Sequence, residues 1–330
     1  KYMIFLAVFL GVSPCWAQVP DLRRPVATYS IVARDSVTGE MGVAVQSHWF
    51  SVGPIVPWVE AGVGAVATQS LVDPAYGPLG LELMRMGRSA PEALKALVST
   101  DEGEAIRQVA MVDAKGSVAA HTGSKAIYAA GHQVGDQYSV QANLMENPTV
   151  WGAMAKAYEN TKGDLAERLL AALEAAEGEG GDIRGRQSAA IVVVHAKGTG
   201  KPWVDRKFDL RVEDHPDPVV ELRRLVRLQR AYLKLNEGDE WIGKEEVDKA
   251  LQAYREATEI VPDEATNGEA AFWVGVTLVD TDRVSEAIPF LKRAYAQDKQ
   301  WAELVPRLPK SGLLPDKADL IQDLVRQMKE

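Results

Sequence analysis

The chain has 330 residues, 46% of them hydrophobic and 25% charged, with 37 Lys plus Arg, 46 Asp plus Glu and a single Cys. That composition excludes wholesale disorder, collagen-like repeats and a disulfide-dense scaffold. A net charge of −9 with no Lys/Arg run argues against nucleic-acid binding, which needs a basic face to displace counterions from phosphate.

Tyr2 to Val12 is an almost wholly apolar run behind Lys1. It is too short to span a bilayer, which takes ~20 residues. Cys15-Trp16-Ala17 ahead of Gln18 has the small-x-small pattern of a cleavage site. Residues 1–17 therefore read as a signal peptide, and the expected location is exported, in the periplasm. Cutting after Ala17 removes Cys15, so no disulfide, thiol nucleophile or Cys-ligated metal is expected in the mature chain. No later stretch reaches 18 apolar residues, so no membrane span is expected after signal removal. Residues 18–27 read as a linker or propeptide.

The body opens with strands. Tyr29 to Ala33 and Met41 to Val45 flank Asp35-Ser36-Val37-Thr38-Gly39 and predict a hairpin. Val52 to Val59, with Pro54 and Pro57, reads as irregular; Gly62 to Thr68 reads as another strand. Leu79, Leu83, Met84 and Met86 share a helical face. Ser89-Ala90-Pro91-Glu92 has the residues of a capping box and starts a second helix. Val109 to Val112 and Val118 to Ala120 flank the turn Asp113-Ala114-Lys115-Gly116, and Tyr138 to Ala142 is one more strand. Helices over Pro148 to Tyr158 and Leu165 to Ala176 come next, then strands over Ser188 to His195 and Arg206 to Val212. Strands in clusters with helices in pairs predict stacked layers, helix–sheet–sheet–helix, rather than a parallel βαβ wind. No Gly-x-Gly-x-x-Gly or P-loop Lys occurs, so no nucleotide cofactor is expected.

Asp217-Pro218 starts a helix running to about Leu235. Beyond it, Gly238, Ala250, Tyr254, Ala257 and Pro262 have the spacing of a tetratricopeptide repeat, and Gly275, Ala287, Leu291 and Ala294 repeat it 37 positions on. A generic pair of helical hairpins is the alternative. Two repeats are too few to stand alone. These helices should therefore pack on the first domain or offer a docking surface to a protein partner or a second copy. The expected domains are 28–216 and 217–330.

Six blocks in order resemble the bacterial family called domain of unknown function 1028. They are Tyr29 to Asp35, Gly42 to Ser47, Gly62 to Gln69, Asp73 to Gly77, Gly181 to Ala189 and Asp214 to Pro218. The likeness covers about residues 28–230. It implies an α+β fold, the four-layer αββα sandwich of the N-terminal-nucleophile hydrolases, followed here by an all-α helical-repeat module. It brings no established activity. Many members begin Met-Thr-Phe/Tyr-Ser, so removal of Met would leave a first Thr, and the matching residue here is Thr28. A threonine hydroxyl needs a base, and a free terminal amine with a pKa near ~8 can serve. Here that amine requires a cut after Ala27. No Lys lies between Lys1 and Lys95 to assist, unlike the proteasome-like pattern. The alternative is that Thr28 is merely the first residue of an edge strand.

Polar groups at strand ends supply the other candidates. Asn143 can polarise a developing oxyanion. Gln69 and Ser70 end a strand and can bind substrate, as can the following Asp73 and Tyr76. Ser47 and His48 end another strand, but adjacent strand residues point to opposite faces, which opposes a Ser47/His48/Asp73 triad. Arg184 and Arg186 sit in a Gly-bounded loop, where Arg forks suit a carboxylate or phosphate, or an internal acid such as Asp182. His215 belongs to a helix start. The five His lack metal-ligand spacing, so no metal is expected. The leading expectation is an amidohydrolase cleaving a C–N bond of a small amide or peptide. The rival is a non-catalytic domain that binds a ligand or protein.

Overall fold

The computed structural model describes residues 25–330. The apolar run, Cys15, the cut after Ala17 and residues 18–24 of the linker lie outside the described residues. Among the described residues, ten strands form two antiparallel sheets. The first contains β1 (Thr28–Arg34), β2 (Met41–Ser47), β7 (Gly131–Gly135), β8 (Tyr138–Ala142), β9 (Ser188–Val194) and β10 (Arg206–Val212), in the order β10-β9-β2-β1-β8-β7. The second is β3 (Pro57–Glu60), β4 (Gly64–Ser70), β5 (Arg107–Asp113) and β6 (Val118–Thr122), in chain order.

Alternation along these strands makes three cores. Val32 of β1, Val43 and Val45 of β2, Ala65 and Ala67 of β4, Ala110 and Val112 of β5 and Ala190 of β9 pack between the sheets. The opposite face of the larger sheet, with Tyr29, Ile31, Val140 and Ile191, packs on α3 (Val150–Asn160) and α4 (Leu165–Gly178). The outer face of the smaller sheet, with Val66, Val109 and Met111, packs on α1 (Tyr76–Arg85) and α2 (Ala90–Val98). The layers run helix pair, sheet, sheet, helix pair. The start of α2 is the expected capping box: Ser89 accepts from the Glu92 amide, and the Glu92 carboxylate accepts from the Ser89 amide.

Past the short α5 (Pro202–Asp205) and β10, α6 (Pro218–Ile242) belongs to two cores. Val219, Leu222 and Val226 join the core on the larger sheet, while Leu235 joins the C-terminal core. The latter is built by α7 (Val247–Ile260), α8 (Glu269–Asp280) and α9 (Val284–Gln297), with α10 (Gln300–Leu304) and α11 (Ala318–Lys329) closing it. α7 and α9 begin 37 positions apart and end 37 positions apart. A Cβ on Gly238 would meet the Tyr254 ring, and one on Gly275 would meet Leu291, the same pairing one repeat later.

Three expectations change, and one strand, β7, was not anticipated. β1 is not an edge strand; it lies between β2 and β8. Pro57 opens a short strand instead of an irregular stretch, because β3 is at the sheet edge and its missing N–H faces no partner. β7 gave no pattern to read because its middle residues are exposed. α6 continues past Leu235 through Gly238, since α7 packs against the space that glycine leaves. Among the described residues no helix is long and apolar enough to cross a membrane.

Candidate functional site

At one end of the sandwich the inward positions change from apolar to polar. Thr28 opens β1 and stands opposite Ser47, the last residue of β2, which stands opposite Ser188, the first of β9. Across the gap, Gln69 near the end of β4 stands opposite Gln108 on β5. Gln141 and Asn143 come from the end of β8, and Ser30 lies two residues along from Thr28. All eight side chains are buried with no exposed area. A strand presents alternate residues to one face, so those on β1, β2, β4, β5 and β9 continue the inward apolar rows of their strands. Buried polar groups of this density must be paired.

The pairing converges on Gln108 and on the main chain of Thr28. Gln108 Oε1 accepts from Gln69 Nε2 at 2.8 Å and from Asn143 Nδ2 at 2.9 Å. Gln108 Nε2 reaches Thr122 Oγ1 and the carbonyls of Gly131 and Ala142. Gln69 Nε2 and the Asn143 amide both donate to the Thr28 carbonyl, at 3.0 and 3.1 Å. Ser30 donates to Gln69 Oε1 at 2.6 Å, and Gln141 donates to Ser30. The Thr28 hydroxyl donates to the Val26 carbonyl at 2.7 Å and lies 3.2 Å from Ser47 Oγ. Ser47 Oγ in turn donates to the Ala27 carbonyl.

Pro25, Val26 and Ala27 run over this polar end. Val26 exchanges two main-chain hydrogen bonds with Ser70, at 2.7 and 3.0 Å. Ser70 adopts φ +75°, which costs an L-residue about 1–2 kcal/mol, and its buried hydroxyl has no partner. Arg184 donates to the carbonyls of Pro25 at 3.2 Å and Ala27 at 3.0 Å. Its guanidinium is held by Asp182 through contacts of 3.0 and 2.7 Å, and the Asp182 side chain is fully buried. Asp182 also accepts from the main-chain amides of Arg184 and His48. The Ala27 carbonyl thus takes two donors, Ser47 and Arg184.

The predicted site residues divide into two groups. Thr28, Ser47, Gln69, Ser70, Asn143 and Arg184 come together here. His48 contributes its main-chain amide to Asp182, while its side chain leaves Nδ1 buried and unpaired. Asn143 Oδ1 is likewise unpaired, and its Nδ2 is committed to Gln108 rather than to the Ala27 carbonyl. Asp73 and Tyr76 line a separate depression of about 230 Å³ beside Asp101 and Glu102. Tyr76 donates to Asp101 there, and burial together with that carboxylate pushes its phenol well up. Arg186 pairs with Glu177 and Asp217 on another face. The Asp217 side chain makes no cap hydrogen bond to α6. Burial and Glu177 drive the Tyr29 phenol, which donates to that carboxylate, far above its ordinary range, so it stays neutral.

Sequence reasoning missed Gln108, Gln141 and Ser30 as members of the network, whereas Asp182 is the internal acid expected as a partner for Arg184. The available signal was polar residues on the inward phase of otherwise apolar strands, gathered at the same end. Among the described residues no group of three His, Cys, Asp or Glu is placed to hold a metal.

The family of unknown function DUF1028 matches residues 28–222, a match that begins at Thr28. A protein of Silicibacter pomeroyi assigned to that family has a crystal structure similar to this chain. It is 32% identical with a TM-score of 0.55, covering 61% of this chain and 85% of the other. No curated protein matches. The chain belongs to the DUF1028 family of unknown function.

Proposed function

We propose that the protein is an amidohydrolase that opens a C–N amide bond with Thr28 as nucleophile, once the chain has been cut between Ala27 and Thr28. One observation carries this reading. The carbonyl directly ahead of Thr28 is buried and accepts hydrogen bonds from Ser47 Oγ and Arg184 Nη2. Two donors on one carbonyl, one of them cationic, stabilise charge that builds on that oxygen when its carbon is attacked.

Ala27 and Thr28 have no exposed area, so the bond between them is closed to another protease once the chain has folded. The Thr28 hydroxyl supplies an internal route. Its oxygen attacks the Ala27 carbonyl carbon, the C–N bond breaks, and the hydroxyl proton passes to the departing Thr28 nitrogen. Water then hydrolyses the ester, leaving a carboxylate on Ala27 and a free amine and hydroxyl on Thr28. The amine, with an ordinary pKa near ~8, then takes the hydroxyl proton in each later turnover. Gln69 and Asn143 hold the Thr28 carbonyl, so the strand end stays fixed while its amine is freed.

The layer order supports likeness to N-terminal-nucleophile hydrolases. Fold likeness does not supply an activity; the groups around the Ala27 carbonyl do. The 37-residue offset supports a tetratricopeptide-like reading of the C-terminal hairpins, and with it a protein-docking role for that module. Residues 1–17 support export.

The test is expression of the whole chain and of Thr28→Ala and Thr28→Ser variants, with intact mass and an amide-substrate panel. The expected result is that the parent begins at Thr28, Thr28→Ala stays uncut and inactive, and Thr28→Ser retains part of both properties. Cutting at the same bond in Thr28→Ala, or full activity in an uncut chain, would contradict it. The second outcome would favour a role in which Thr28 is only structural.

A further inference from the structure

The contacts that hold Pro25, Val26 and Ala27 are those a site would make to a peptide. Val26 exchanges an N–H and a C=O with Ser70, as an added strand does with a sheet edge. Arg184 spans the carbonyls on either side, Pro25 and Ala27, with its two terminal nitrogens. The fork is fixed before any ligand arrives, because it donates two hydrogen bonds to the fully buried Asp182 carboxylate. Every one of these contacts goes to main chain. Selection by side chain comes from the apolar core between the sheets, to which Val26 belongs together with Val52, Val56, Ala67 and Val72, and from the full burial of the small Ala27 side chain.

We infer that this place is the acyl-side subsite of the processed protein. Its substrate class is then an extended peptidyl amide with a small residue at the cleaved carbonyl and a β-branched apolar residue before it. This rests on the reading of Thr28 as nucleophile. When residues 25–27 leave, Ser70 loses both partners and Arg184 loses two. The site is left with a strand edge, a fixed cation and the apolar place of Val26 in the register of the bond that Thr28 attacks. An incoming acyl chain restores each contact and brings its carbonyl to the place of the Ala27 carbonyl, between Ser47 and Arg184.

The experiment uses protein that begins at Thr28, obtained by its own processing or by removal of a fusion ahead of that residue. Three aminomethylcoumarin amides are compared: acetyl-Pro-Val-Ala, the same peptide N-methylated at Val, and acetyl-Ala. Binding of the product acetyl-Pro-Val-Ala is measured by calorimetry. The inference predicts that the extended peptide exceeds acetyl-Ala by at least about 100-fold in kcat/KM. N-methylation, which removes the donor to the Ser70 carbonyl, should forfeit at least about 10-fold. Arg184→Gln should shrink the ratio of extended to short substrate, a ratio that poor folding alone does not move. Equal cleavage of all three amides would overturn the subsite and leave the nucleophile standing. Product binding that N-methylation weakens, with no cleavage of any amide, would keep the subsite and overturn the nucleophile. Absence of both binding and cleavage would overturn the subsite.

Discussion

Thr28 and Ser47 face each other across two central strands, yet Gln108 carries more of the local structure than either. Its amide oxygen takes two buried donors and its nitrogen supplies three acceptors. Each buried group left unpaired costs about 1–3 kcal/mol. Gln108→Leu should therefore lower the unfolding free energy by about 2–4 kcal/mol in urea titration, even though leucine suits a strand interior. Ser47→Ala should be mild for stability but severe for processing. Losing one donor to a developing oxyanion costs about 100-fold or more, readable as accumulation of uncut chain over time. In the processed protein kcat/KM should rise with pH through ~8, as the Thr28 amine loses its proton and becomes a base. A rise centred near ~6.5 would point to a histidine instead. Several members of the candidate site were legible: Ser47, Gln69 and Asn143 from their places at strand ends, Arg184 from its Gly-bounded loop, and Thr28 from the family resemblance. Gln108 was not, because one glutamine beside Val109 looks like any strand boundary until its partner Gln69 is known. Asp73, Tyr76 and Arg186 show the converse. They sit a few residues from the site in sequence, and only the course of a loop decides that they face elsewhere.

At the scale of elements, periodicity found the strands and helices that bury one face. The hairpins joining β1 to β2 and β5 to β6 and the capping box of α2 were legible because local chemistry alone determines them. β3 and β7 escaped because each is short, β3 half-buried past Pro57 and β7 exposed in its middle, so neither leaves an alternating pattern, unlike the edge strand β10. The end of α6 was read short, at about Leu235, although Gly238 already stood in the small-residue slot of the first repeat; what fills that slot is Tyr254, sixteen residues later. That role is testable against a second helical glycine. A Cβ at Gly238 would overlap the Tyr254 ring, whereas a Cβ at Gly152 in α3 meets nothing within 4 Å. Alanine gains up to about 1 kcal/mol over glycine in a helix interior. Gly152→Ala should accordingly raise Tm slightly. Gly238→Ala should lower it, because the ring must move and α7 with it. Equal shifts of the same sign would show that the Gly238 contact is unimportant.

At the scale of the molecule, α6 joins the layered domain to the helical module. Val219, Leu222 and Val226 bury on the larger sheet, at about 1.5–3 kcal/mol each, so apolar contact dominates the joint. Ion pairs flank it: Arg223 meets Glu167 at 2.7 Å, and Arg230 meets Glu167 at 3.3 Å and Asp164 at 2.7 Å. Burial raises the Glu167 carboxyl, but hydrogen bonds from the two arginines outweigh it and hold the group below its ordinary range. A lowered carboxyl stabilises the folded state above its ordinary value near ~4.3 and loses that contribution as pH falls through the lowered one. Glu167→Gln should thus lower Tm by about 1–3 °C at neutral pH, with the gap closing in acid below pH ~4. The central claim, however, concerns one bond. The most direct test is intact mass and N-terminal sequence of protein purified after expression with residues 1–27 in place. The predicted result is a chain whose first residue is Thr28. Folded protein that begins at Gln18, or at any residue ahead of Thr28, would have no free amine on Thr28 and would contradict it.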